Sequence, residues 1–85
     1  MRPWLPAWKL NMPKSASGKE VVKILTKHFG FLFISQKGSH VKLKKKTILG
    51  EIGTVVPMHR ELSYGTLRGV LELAQIDIKA FKKFL

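Results

Sequence analysis

The chain has no cysteine and only five acidic residues in 85. The first absence excludes disulfides and zinc–thiolate sites and fits a reducing cytoplasm. The second leaves Glu20, Glu51, Glu61, Glu72 and Asp77 scattered, without the paired carboxylates that hold two metal ions. Three histidines, His28, His40 and His59, are far apart and show no HxxxH spacing, so no metal site and no cofactor is expected. No apolar run approaches the roughly 20 residues of a membrane span. Glycine-rich phosphate loops are missing too, because Gly38 stands alone in its stretch.

Against five acids stand 16 lysines and arginines, for a formal net charge of +11. Such an excess points to a polyanion, either nucleic acid or an anionic membrane surface. Charge for solubility alone is the plainer alternative, but here the cations are clustered. Between Gln36 and Lys46 there are five lysines and no acid. Membrane binding calls for a basic amphipathic helix, whereas these lysines fall on a strand-like segment. The composition therefore favours RNA and no membrane partner.

Residues 1–11, MRPWLPAWKLN, read as a tail outside the domain, flexible or an upstream start ahead of Met12. Pro3 and Pro6 discourage helix and central strand alike, and the segment lacks the long apolar centre of a signal peptide. Residues 12–85 then form one small domain. A first helix is predicted from Ser17 to Phe29, where Ser17 and Glu20 have capping-box spacing and Gly30 provides the stop. Val21, Val22, Leu25, His28 and Phe29 recur at helical spacing on its apolar face, and Lys19, Lys23 and Lys27 form a separate stripe that reads as a solvated face.

Strand one is predicted over Phe31–Ser35, a turn at Lys37-Gly38-Ser39, and strand two from His40 to Lys45. Gly50 and Gly53 are read as bracketing a loop before strand three, Thr54–Pro57. Ser63 caps a second helix reaching Ala74, and Asp77 a short last one over Ile78–Leu85. The order is α-β-β-β-α with a short extra C-terminal helix. This is an α+β class in which a three-stranded antiparallel sheet has helices on one face. On strand one, Phe31 and Phe33 would share one face and Leu32 and Ile34 the other. One apolar pair would then stay exposed for a protein partner.

Side chains alternate along a strand, so His40, Lys42, Lys44 and Lys46 point one way and Val41 and Leu43 the other. A titratable imidazole beside a row of cations is suited to holding a phosphate and moving a proton next to it. RNA supplies its own nucleophile, the 2′-hydroxyl. A protein that cuts it needs a base, an acid and cations for the charge gathering on phosphorus. His40 is the candidate base. Lys37, Lys42, Lys44 and Lys46 are the candidate phosphate ligands. Gly38 allows close backbone approach. His59 is a candidate acid, with capping of the following loop as its alternative role. Ser39 adjoins His40 as a supporting residue rather than a nucleophile, and His28, near a helix end, reads as structural.

Met12-Pro13-Lys14, Gly30-Phe31, Gln36-Lys37-Gly38-Ser39-His40, Val56-Pro57-Met58-His59 and Gly65-Thr66-Leu67-Arg68 together resemble the HicA toxins over Met12–Leu85. That resemblance implies a fold similar to a double-stranded-RNA-binding domain and a messenger-RNA-cleaving toxin that blocks translation. It also implies a HicB-like antitoxin as partner, and it maps the family's catalytic histidine, the one in its GSH motif, onto His40. The apolar stretch Ile48–Gly53 and the tail 1–11 depart from the family pattern. Two other readings remain open. One is a non-catalytic RNA-binding module, indifferent to His40. The other is a DNA-binding regulator using the helix from Ser63 to Ala74, which has only Arg68 as a basic residue.

Overall fold

The structure, a computed structural model, describes residues 15–85. The reading of residues 1–11 as a tail lies outside the described residues. The first helix, α1 (Gly18–His28), begins at a complete capping box. The Glu20 amide donates to Ser17 Oγ at 3.0 Å, and the Ser17 amide donates to Glu20 Oε1 at 3.1 Å. It ends at Gly30, whose φ of +76° lets the Phe31 amide turn back to the Leu25 carbonyl at 3.1 Å. Phe31 thereby enters the core instead of opening the strand.

Strands β1 (Leu32–Lys37), β2 (His40–Thr47) and β3 (Gly50–Pro57) form an antiparallel meander in the order β1-β2-β3. The loop expected between Gly50 and Gly53 is strand instead, and only Ile48 and Leu49 turn the chain between β2 and β3. Glycine weakens strand propensity, but here both glycines are carried by a full ladder from Thr47↔Gly50 to His40↔Pro57. Helices α2 (Tyr64–Leu73) and α3 (Ile78–Lys82) complete the α+β fold. Ser63 Oγ caps α2 by accepting the Thr66 amide, whereas Asp77 precedes α3 without a side-chain cap.

Both α1 and α2 pack against β3. Val41, Leu43 and Val56 are buried on this covered face with Val21 and Leu25 of α1 and Leu67 and Leu71 of α2. Thr54 is the one buried polar residue among those described, and its hydroxyl donates to the Val70 carbonyl at 2.8 Å, tying β3 to α2.

β1 lies away from the helices. The register of β1 on β2 shifts between Phe33 and Ser35, and this bulge breaks the expected alternation. Leu32, Phe33 and Ile34 are 67%, 55% and 47% exposed, so neither apolar pair is covered and only Phe31 is buried.

Candidate active site

The turn between β1 and β2 is Gly38-Ser39, with Lys37 and His40 paired across its base. Gly38 has φ +59°, the backbone state that a two-residue turn with glycine first demands. A Cβ at Gly38 would meet nothing within 4 Å, so conformation, not space, requires the glycine. The Gln36 side-chain amide closes the turn by donating to the Gly38 carbonyl at 3.1 Å. His40 is thus the first residue of β2, flanked by Lys37 on one side and Pro57 on the other.

Two further contacts fix this end of the sheet. The Met58 amide donates to the Ser39 carbonyl at 2.6 Å, and the Gly18 amide donates to the His59 carbonyl at 2.9 Å. The start of α1, the turn before His40 and the segment Pro57-Met58-His59 are therefore locked together. Gly18 makes this possible, because a Cβ there would run into the Pro57 carbonyl oxygen. The sequence reading did not find that role. A glycine directly after the cap residue Ser17 was its only signal.

β2 presents His40, Lys42, Lys44 and Lys46 on the open face of the sheet, while Val41 and Leu43 are buried beneath. Opposite Lys42 stand Ser35 and Val55, and opposite Lys44 stand Leu32 and Gly53. Glu51 pairs with Lys46, and its carboxylate lies 3.7 Å from the Lys44 ammonium. That carboxylate was not singled out in the sequence, because Glu51 was assigned to a loop. Lys45 turns the other way and places its ammonium 5.9 Å from the centre of the Phe31 ring. Lys37 joins the open face through its pairing with His40.

The structure brings His40 together with Lys37, Gly38, Ser39 and Lys42, and it sets Lys44 and Lys46 further along the same row. His59 lies two residues beyond the ladder partner of His40, and its side chain is exposed. Neither the His40 nor the His59 imidazole has a hydrogen-bond partner among the described residues. His28 is exposed, with its ring stacked on Phe84 at 3.9 Å between centroids and 14° between planes. Lys19, Lys23 and Lys27 are exposed on α1, in the helical layer rather than on the open sheet face. Arg68, the lone cation of α2, is engaged with Glu72 at 3.1 Å, which leaves that helix poorly equipped to read DNA.

Among the described residues, no three histidine, aspartate or glutamate side chains come together as a metal site. None of their helices is long and apolar enough to cross a membrane.

A family model described as the HicA toxin of bacterial toxin–antitoxin systems matches residues 18–76. The chain belongs to the HicA toxin family. The match runs from the first residue of α1 through α2 and includes the Gly38-Ser39-His40 turn, β2 and the Pro57–His59 segment. No curated protein matches the chain significantly. As a HicA-family member the protein is the toxin of a toxin–antitoxin pair, with an antitoxin as its kind of partner.

Proposed function

We propose that this HicA-family toxin is an endoribonuclease that cleaves messenger RNA without a metal ion and so inhibits translation, with His40 as general base. The observation that carries the reading is the position of His40. It begins the central strand on an open face and is followed there by Lys42, Lys44 and Lys46, with Lys37 across the ladder.

In this mechanism the His40 imidazole takes the proton of an RNA 2′-hydroxyl. The 2′-oxygen attacks the adjacent phosphorus, the bond from phosphorus to the 5′-oxygen breaks, and that oxygen leaves with a proton from a general acid. The products are a 2′,3′-cyclic phosphate and a 5′-hydroxyl end. His59 is the candidate acid, since the Ser39–Met58 bond holds its segment against the turn that carries His40. Lys37 and Lys42 stabilise the charge on the phosphorane. Gly38 and Ser39 support the site by fixing where β2 begins. The antitoxin partner is read as HicB-like and of acidic or mixed charge, complementary to a toxin of net charge +11.

The deciding experiment is incubation of a long single-stranded RNA with purified protein in EDTA, wild type beside His40→Ala. The wild type should cut. The variant should lose roughly 10²–10⁴-fold, the usual contribution of a placed proton-transfer group, while still binding RNA.

A second reading, a non-catalytic RNA-binding module, is favoured by one observation. No described residue hydrogen-bonds the His40 ring, whereas a catalytic imidazole commonly has a partner that sets its tautomer. Equal RNA binding by both proteins, with cleavage by neither, selects this alternative.

A further inference from the structure

The β2–β3 hairpin ends in an arrangement that folding alone does not explain. Ile48 and Leu49 form its two-residue turn and are wholly exposed, at 104% and 100%. Neither residue takes a positive φ, because that state falls on Gly50 at φ +132°, so what sets Ile48 and Leu49 apart is their apolar exposure where turns usually carry well-hydrated polar residues. Two large apolar side chains at the apex bury nothing in the domain. Thr47 Oγ1 donates to the Gly50 carbonyl at 2.7 Å across the base of the turn. Departures from local sequence rules without a folding benefit tend to mark functional positions.

The tip lies at the end of the open-face row that begins at His40. Alternate residues of a strand are about 7 Å apart, close to the separation of consecutive phosphates in an extended single strand of RNA. From His40 to Lys46 the row therefore spans roughly 20 Å, and the tip is one step further. Ser35 and Val55 stand beside Lys42, and Leu32 and Gly53 beside Lys44, so small or apolar side chains flank the cations. The row's one carboxylate, Glu51, rests near the Lys44 ammonium as a phosphate oxygen would.

From these relations we propose that the open face is a track for single-stranded RNA with one cation per phosphate step. Ile48 and Leu49 close the track by packing against the base about four nucleotides from the phosphate at His40. The occupant is RNA rather than an acidic protein because the cations keep a regular spacing and start at the imidazole. Single-strand binders pair a cationic backbone path with side chains that pack on the exposed bases, and leucine and isoleucine serve as wedges against bases in other nucleic-acid complexes. The proposal rests on the ribonuclease reading for its starting point, but its test does not depend on cleavage.

The test is fluorescence anisotropy with uncleavable 2′-O-methyl oligonucleotides of two to twelve nucleotides, comparing wild type with the Ile48→Ser/Leu49→Ser double variant. Both residues are fully exposed, so the variant keeps the fold, which circular dichroism verifies. Wild-type affinity should step up once oligonucleotides reach about five nucleotides. The variant should lose this step, roughly tenfold, as expected when apolar side chains no longer leave water, and should match wild type on shorter ones. Equal affinities at every length overturn the track. So does a smooth rise with length in both proteins, which marks undirected charge attraction. So does a variant that binds RNA normally but no longer binds the product of the adjacent antitoxin gene, which assigns the tip to a protein. Absence of RNA cleavage together with the length step would remove the ribonuclease reading and leave the track standing. Cleavage with an indifferent tip would do the reverse.

Discussion

The amide of Met58 donates to the carbonyl of Ser39 across 2.6 Å, fastening the end of β3 to the turn that precedes His40. The end of the sheet that carries His40 is thus held on both flanks of β2, and disturbance of the turn should reach His59 as well as His40. Gly38→Ala tests this coupling. An alanine forced to φ +59° costs about 1 kcal/mol, measurable by urea unfolding. RNA cleavage should fall well beyond the loss of folded protein, because the positions of both histidines depend on the turn.

The lysines of the open face should act through phosphate rather than base identity. Lys42→Ala and Lys44→Ala should each weaken binding to single-stranded RNA about equally for different sequences. Each should also reduce the slope of log affinity against log salt by about 0.7, the value for one phosphate contact on a single strand. A salt titration of a labelled oligonucleotide measures it. An unchanged slope would place the cations away from the RNA.

Gly18→Ala should be among the more damaging single-methyl changes in the protein. Helix propensity favours alanine over glycine by roughly 1 kcal/mol, and on that ground alone the substitution would stabilise α1. The clash with the Pro57 carbonyl should reverse the sign, since overpacking a fixed backbone costs about 1–3 kcal/mol. Thermal unfolding reads the outcome directly, and a raised midpoint would contradict the close approach of α1 to β3.

One position leaves room for improvement. Gln75 closes α2 with φ +57°, its amide reaching the Glu72 carbonyl and the Ile76 amide the Leu71 carbonyl, a helix end usually completed by glycine. Gln75→Gly should relieve a left-handed penalty of about 1–2 kcal/mol and lose part of that gain to a more flexible unfolded chain. A net gain of about 0.5 kcal/mol in denaturant unfolding is expected, with RNA binding unaffected.

The elements with local signatures were legible in the sequence. Ser17 and Glu20 located the start of α1, Gly30 its end, and Ser63 the start of α2, because caps are short-range hydrogen bonds written in adjacent residues. The alternation of His40, Val41, Lys42 and Leu43 gave the two faces of β2. What escaped was decided by partners distant in sequence. Gly50 and Gly53 read as a loop because their strand is formed by pairing with β2, not by propensity. The bulge between Phe33 and Ser35 left no trace in the apolar run. Glu51 came to lie against Lys44 only once the hairpin register was known, and Gly18 was ordinary until Pro57 was seen against it.

The outer edge of β1 has a colloidal consequence. Leu32, Phe33 and Ile34 line a strand margin that no other described strand pairs with, and such margins promote association between copies. Copies repel one another through a net charge of +11, and that repulsion weakens as the Debye length shrinks from about 10 Å at 0.1 M salt to about 3 Å at 1 M. The purified toxin should therefore disperse best in dilute buffer and grow turbid as salt is added, opposite to the ordinary salting-in of a protein near its isoelectric point.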